Sequence, residues 1–247
     1  MLSRAEIKFV KSLHLKKYRE KEQLFLAEGA KVVHEALYSN VRIKEILVLD
    51  DSSLYEDYPE VANATQSRTI AQKAMEQVSG LKSAPSAIAI IEKPQNSSLE
   101  KDLTDQWALG LEEIQDPSNL GAIIRTADWF GVKHIFCTPG CADVWQPKVI
   151  RSSMGSAFRL SYTYEEAEAV INAYPTIPKW GTAMEENDLS KTDIPKAGIL
   201  FMGNEGRGLS ESIARKCDQM IAIPRRGHAE SLNVAVSTGI FLYEIGK

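Results

Sequence analysis

The chain has 247 residues, 44% of them hydrophobic and 25% charged, and a formal net charge of −4, which suits one large domain or two small ones. That charge excludes a generally basic nucleic-acid coater but leaves room for a local basic patch. Three cysteines in a chain this long do not make a disulfide scaffold, Lys and Glu interrupt every early apolar run, and no run approaches the roughly 20 apolar residues of a bilayer span, so a cytoplasmic protein without a membrane segment is expected.

In chain order, the first part predicts a helix over 3–13, a strand over 23–28, a helix over 30–38, a strand over 43–49, a helix over 70–78 and a strand over 86–91. Val32, Val33, Ala36 and Leu37 fall on one face of the second helix. The polar, proline-bearing run from Glu92 to Ser98 reads as a boundary, giving a first domain over 1–95, a linker over 96–104 and a second domain over 105–247. The second part predicts a strand over 107–114, a helix opened by Asn119 and ending near Phe130, a strand over 133–137, and helices over 146–153 and 164–173. Strands over 179–184, 197–202 and 219–223, a helix over 208–216 and an amphipathic helix over 234–245 follow. This alternation implies an α/β fold with a mostly parallel sheet covered on both faces.

Three segments mix glycines with amide, hydroxyl and charged groups just after strand-like runs. The first is Asp116-Pro-Ser-Asn-Leu-Gly-Ala-Ile-Ile-Arg-Thr-Ala127. Asn119 suits a helix N-cap, and Arg125 follows it six residues later. The second, Phe201-Met-Gly-Asn-Glu-Gly-Arg-Gly-Leu209, packs three glycines into six residues before a helix. It ends in no Gly-Lys-Ser/Thr and lacks the G-x-G-x-x-G spacing, so a nucleotide phosphate site is disfavoured. The third, Ile223-Pro-Arg-Arg-Gly-His-Ala-Glu-Ser-Leu-Asn-Val-Ala235, enters the last helix with Ser231 or Asn233 available as its N-cap. Ser231 lacks a nucleophile elbow and a recognisable triad order, which argues against a serine hydrolase. Cys137 and Cys141 lack a second ligand pair for zinc, and no metal is expected. Ligands bind at such strand ends in open parallel sheets, so the three segments are the candidate site.

In this order and spacing the three segments resemble the SpoU family of RNA ribose 2′-O-methyltransferases, part of the knotted SPOUT class, and the resemblance covers 105–247. It implies that Arg125 is catalytic, with Asn119 supporting it, and that Glu205, Ser231 and Asn233 complete the reacting site. It implies that the turn at Gly203 and Asn204 wraps S-adenosylmethionine, whose adenosine part Ile223 and Leu232 contact. A C-terminal trefoil knot and a homodimer through the catalytic domain, with the arginine of one chain serving the cofactor of the other, are implied as well. Arginine is ordinarily always protonated. Either the pKa of Arg125 falls in the closed site, or the guanidinium stabilises the developing alkoxide while another group takes the proton.

The first 95 residues resemble the family's N-terminal substrate-binding domain, akin to a small ribosomal RNA-binding α/β fold, through Lys16-Lys17-Tyr18-Arg19-Glu20-Lys21 and Phe25-Leu26-Ala27-Glu28-Gly29-Ala30-Lys31. Residues 1–21 hold seven positive against two negative side chains, and Lys16, Lys17, Arg19 and Lys21 are candidate phosphate contacts. A solvated charged face is the alternative. Family members that act on transfer RNA tend to carry terminal helical extensions instead of such a domain, so ribosomal RNA is the expected substrate, with transfer RNA as the alternative. A non-catalytic RNA-binding module that kept the fold would show damaged motifs, whereas Asn119, Arg125, Glu205, Ser231 and Asn233 are all present.

Overall fold

A computed structural model describes residues 2–50, 52–95, 99 and 102–247. The chain forms two compact units, Met1–Gln95 with Asp143–Arg159, and Asn96–Ala142 with Leu160–Lys247. The linker expected over 96–104 falls largely on residues 96–98, 100 and 101, outside the described residues.

The first unit runs α1 (Arg4–Ser12), α2 (Lys16–Glu22), β1 (Leu24–Glu28), α3 (Ala30–Leu37), β2 (Ile43–Leu49), α4 (Ser52–Asp57), α5 (Pro59–Ala62), β3 (Ser67–Ile70), α6 (Gln72–Val78) and β4 (Ala87–Glu92). Its sheet has the order β1-β4-β2-β3, parallel only between β2 and β3. Ser3 and Glu6 close a capping box on α1. Hydrogen bonds from Ser3 and then from Arg68 hold the Glu6 carboxylate down at about 2. The support it lends is therefore present above the ordinary carboxylate range and is lost as pH falls towards 2. One apolar cluster joins Val10 and Leu13 of the α1 region, Leu24 and Leu26 of β1, Leu47, Met75, Val78, Ile88 and Ile90.

Residues 143–159, which sequence continuity places in the second domain, pack with the first unit. The Trp145 ring lies 4.9 Å from that of Phe25 on β1, and Phe158 lies 6.2 Å from it. Arg159 pairs with Glu35 at 2.8 Å, and Arg151 donates to the buried Glu28 at 3.0 Å. Arg19 requires a correction. Expected at an RNA-facing surface, it is only 3% exposed. Its Nε and Nη2 donate to Asp143 Oδ2 at 3.0 and 2.6 Å, and its Nη1 donates to the carbonyls of Leu13 and His14 at 3.0 and 2.8 Å. A buried guanidinium that makes four hydrogen bonds to three acceptors is structural and is closed to phosphates.

The second unit continues with β5 (Trp107–Leu111), α7 (Pro117–Trp129) and β6 (His134–Cys137); α8 (Pro147–Ser152) lies in the stretch that packs with the first unit. It resumes with β7 (Ser161–Tyr164), α9 (Ala167–Ala173), β8 (Lys179–Ala183), β9 (Asn187–Asp188), β10 (Gly198–Met202), α10 (Glu211–Ala214), β11 (Gln219–Ala222) and α11 (Val234–Ile245). The sheet order is β7-β6-β5-β10-β8-β11-β9, and every neighbouring pair is parallel. β5 and β10 are buried along their whole length, as strands covered on both faces must be. A cluster of Phe136, Val170, Ile171, Tyr174, Ile199 and Phe201 lies against α9, while α7 buries Leu120, Ile123, Ile124 and Ala127. No helix of the described residues is long and apolar enough to cross a membrane.

Asp143→Ala should destabilise the protein by about 3–5 kcal/mol, because it strands the buried Arg19 cation. Lys17→Ala on the exposed side of α2 should change stability by less than about 0.5 kcal/mol. Denaturant unfolding of both variants checks this, and equal midpoints would contradict the structural role of Arg19.

Candidate active site

The carboxyl ends of β5, β10, β8 and β11 lie side by side because these four strands are sheet neighbours running in one direction. Each of the three motif segments leaves from one of these ends. The turn leading into the first begins at Glu112, whose amide still donates to the Met202 carbonyl at 2.9 Å. Glu113 adopts a left-handed φ of 52° and donates from its amide to Thr138 Oγ1 at 3.0 Å. Cys141 braces the same turn, accepting from the Ile114 amide at 3.4 Å and donating to the Leu111 carbonyl at 3.2 Å. Its hydrogen bond to Cys137, together with burial, pushes the Cys137 thiol up.

α7 does not open at Asn119 as expected. Asp116 is the N-cap, accepting from the amides of Ser118 at 2.7 Å and Asn119 at 2.9 Å, with Pro117 in the first helical position. An aspartate cap followed by proline competes well for a helix start. The shift frees the Asn119 side chain for longer-range work.

The second segment is a tight loop. Asn204 and Gly208 exchange backbone hydrogen bonds of 3.1 and 2.9 Å, with Gly208 at φ +69°. The loop comes so close to itself that a Cβ at Gly203 would overlap the Gly208 carbonyl and the Leu209 amide. Gly203 is thus required first by the loop's own closure. The Asn204 side chain is engaged inside the protein: Nδ2 donates to the Glu113 carbonyl at 3.0 Å, and Oδ1 accepts from the amides of Gly206 at 3.0 Å and Arg207 at 3.3 Å. Arg207 donates to the Glu113 carboxylate, and the Ser210 amide donates to Glu112 at 2.8 Å, so the first and second segments are tied at several points.

The third segment joins through Asn233, which caps α11 by accepting from the amides of Ala235 at 2.9 Å and Val236 at 3.4 Å. Asn233 Nδ2 donates to Asn119 Oδ1 at 2.9 Å, and Asn119 Nδ2 donates to Glu205 Oε1 at 2.8 Å. One hydrogen-bonded chain therefore links all three segments. Ser231 and Leu232 are exposed, Leu232 by 48%, and Ile223 is half-buried at the end of β11. Arg125 is not drawn into this chain. It is exposed, has no hydrogen bond or ion pair among the described residues, and lies about 120° round α7 from Asn119 at 100° per residue.

Sequence reading missed the end of β8. Between β10 and β11 in the sheet, it brings Thr182 and Ala183 beside Met202 and Ile221, and Thr182 Oγ1 donates to the Phe201 carbonyl at 3.2 Å. Its position at a strand end was the available signal. Exposed Met184, just past β8, and exposed Leu232 in the third segment offer apolar surface beside these strand ends.

Gly203→Ala should weaken S-adenosylmethionine binding at least tenfold in calorimetry, because the loop must open to admit the methyl group. Gly206→Ala, where a Cβ meets only Asn204 Oδ1 at 3.6 Å, should bind within a few-fold of wild type. Equal affinity for the two variants would contradict this account of the loop.

The family model described as SpoU rRNA Methylase family matches residues 106–243, and the model described as MRM3-like substrate binding domain matches residues 4–89. The 23S rRNA (guanosine(2553)-2′-O)-methyltransferase RlmP of Bacillus subtilis is 33% identical over 244 residues, covering 97% of this chain and 95% of that protein. The structure of a TrmH-family protein from Porphyromonas gingivalis superposes with a TM-score of 0.85 at 31% identity, covering 99% of this chain and 98% of that one. An AdoMet-bound rRNA methyltransferase from Sinorhizobium meliloti gives 0.85 at 28% identity, covering 99% and 96%. This chain belongs to the SpoU rRNA methylase family.

Proposed function

We infer that this protein transfers a methyl group from S-adenosylmethionine to a ribose 2′-hydroxyl of ribosomal RNA. The observation that carries this reading is the chain from Asn233 through Asn119 to Glu205, which gathers the three motif segments at adjacent ends of a parallel sheet. Relatives named for 2′-O-methylation of 23S rRNA, and the match of residues 4–89 to a substrate-binding domain, support RNA as the substrate. The bound cofactor supplies an electrophilic methyl group on a sulfonium. The chain's own residues hold it and orient the hydroxyl: Gly203 and Asn204 form the turn, Ile223 and Leu232 offer apolar surface, and Ser231 and Asn233 lie where the third segment enters α11. Holding hydroxyl and methyl in line supplies much of the rate.

The domain arrangement proposed is a substrate-binding domain over 1–95, a linker over 96–104 and a methyltransferase domain over 105–247 with a C-terminal trefoil knot, working in the cytoplasm. A homodimer through the catalytic domain is part of the same reading. Its support is an exposed apolar face: Val236, Ile240 and Tyr243 recur along α11, and Trp129 on α7 is 84% exposed. Arg125 is one turn before Trp129, so a second copy covering this face would receive Arg125 into its own site.

Arg125→Ala should abolish methyl transfer while leaving cofactor affinity within a few-fold of wild type. Mixing Arg125→Ala with Asn119→Ala, both inactive alone, should restore about a quarter of wild-type activity, since half of the re-formed twofold dimers hold one complete site. Mixtures that stay inactive would show that Arg125 serves its own chain.

Lys16, Lys17 and Lys21 are exposed on α2 and remain candidate phosphate contacts. Replacing all three with Ser should weaken RNA binding and flatten its salt dependence, each lost contact removing roughly 0.7–0.9 from the log–log slope. An unchanged slope would make this a solvated face.

A further inference from the structure

Two of the three free thiols stand together under the turn that leads into the first segment, apart from the hydrogen-bonded chain of Asn119. Cys137 ends β6 and is fully buried; Cys141 is 5% exposed. The Cys141 amide donates to the Thr138 carbonyl at 2.9 Å, so residues 138–141 make a tight turn that brings the two thiols into hydrogen-bond contact. That bond, aided by the Ile114 amide and Thr138, lowers the Cys141 thiol against the opposing effect of burial, while Cys137 is raised and keeps its proton. Cys217 is the contrast: burial first, then Asp218, pushes it up to about 12. A thiol inclined to ionise, with a second thiol against it, is the arrangement in which oxidation ends in a disulfide.

The same pair carries the turn. Cys141 Sγ donates to the Leu111 carbonyl at 3.2 Å and accepts from the Ile114 amide at 3.4 Å. Gly140 lies so close to Glu113 that a Cβ there would stand 2.9 Å from Glu113 Cγ. Glu113 in turn fixes the glycine-rich loop, its carbonyl accepting from Asn204 Nδ2 and its carboxylate pairing with Arg207. We propose that Cys137 and Cys141 form an oxidation site, closed to a disulfide by hydrogen peroxide, and that closure loosens the turn that fixes the glycine-rich loop.

A small uncharged oxidant suits a pair that is almost closed to solvent. The Cys141 thiolate attacks one peroxide oxygen, the oxygen–oxygen bond breaks, and the departing hydroxide takes up the proton that the thiol released. The product is a sulfenic acid and one water. Cys137 sulfur then attacks Cys141 sulfur, the sulfur–oxygen bond breaks, and hydroxide leaves with the Cys137 proton as a second water. Two thiols and one peroxide become one disulfide and two waters, with sulfur oxidised and peroxide oxygen reduced. A disulfide sulfur has no proton to donate, so the Leu111 carbonyl loses its bond from Cys141 and keeps the one from the Thr138 amide. The two sulfurs close to about 2.05 Å, which draws Cys141 Sγ away from the Ile114 amide. The consequence for the cofactor rests on the methyltransferase reading; the closure of the pair does not.

The experiment treats the reduced protein with hydrogen peroxide and records intact mass, hydrogen exchange of the Ile114 amide without ligand, and S-adenosylmethionine affinity by calorimetry, before and after reduction with dithiothreitol. The wild-type protein should lose about 2 Da, the two hydrogens of a disulfide, and so should Cys217→Ser. Cys137→Ala and Cys137→Ser should gain oxygen instead. In the oxidised wild-type protein the Ile114 amide should exchange faster and cofactor affinity should fall roughly tenfold, the size of one or two lost hydrogen bonds, with both restored by dithiothreitol. A wild-type mass that stays unchanged or only gains oxygen would overturn the site, as would a disulfide that disappears in Cys217→Ser. A disulfide that leaves Ile114 exchange and cofactor affinity unchanged would overturn its effect on the loop. Mass and exchange decide the matter even if the reduced protein binds no S-adenosylmethionine, the result that defeats the broader reading.

Discussion

Asn119 sits in the third position of α7 with both halves of its amide engaged, the oxygen by Asn233 and the nitrogen by Glu205. Its neighbours are arranged so that this is possible. Asp116 takes over the capping of α7, and Asn204 and Arg207 lock the second segment against Glu113 so that Glu205 faces the helix. Each such bond contributes only about 0.5–1.5 kcal/mol net, so no single one defines the site. Their mutual dependence does. Asn119 can bridge only if both loops are already formed; the second is closed by its glycines and the third ends on the Asn233 cap.

The sheet makes that closure inexpensive in conformational entropy. Four adjacent parallel strands end at the same level, so the loops start close together and need span little distance. The first unit solves a different problem. It buries Arg19 and Glu28 and answers each with partners drawn from residues 143–159, so this stretch is bound by charge as well as by the rings of Trp145 and Phe158. Buried ion pairs contribute little net stability, but breaking one is costly, which favours a single seating of the segment.

The parallel strands were legible because strands covered on both faces read as unbroken apolar runs, as in Gly198–Met202 and Trp107–Leu111. The strands that escaped sequence reading are short and at or near sheet edges: Ser67–Ile70 with two polar residues and an arginine, Ser161–Tyr164, and the two-residue Asn187–Asp188. Local pattern also mistook the setting of α2. Its run of charges looks uniformly solvated, yet Arg19 turns inward to a partner 124 positions later, which no local window contains. The three motif segments were legible as chemistry, while their connections were not. The hydrogen bonds between Asn119 and Glu205 and between Asn119 and Asn233 span 86 and 114 positions. Helix-start rules favoured Asn119 as a cap, and the stronger claim of Asp116 with Pro117 released it for the site.

The most direct test of the account is to incubate the protein with ribosomal RNA lacking modifications and S-adenosylmethionine carrying a labelled methyl group, then map the label by nucleotide and by atom. The account predicts label on a ribose 2′-oxygen at one defined position of the large-subunit RNA, absent when Asn119→Ala replaces the wild-type protein. Label on a base, label spread over many positions, or unimpaired methylation by Asn119→Ala would contradict it.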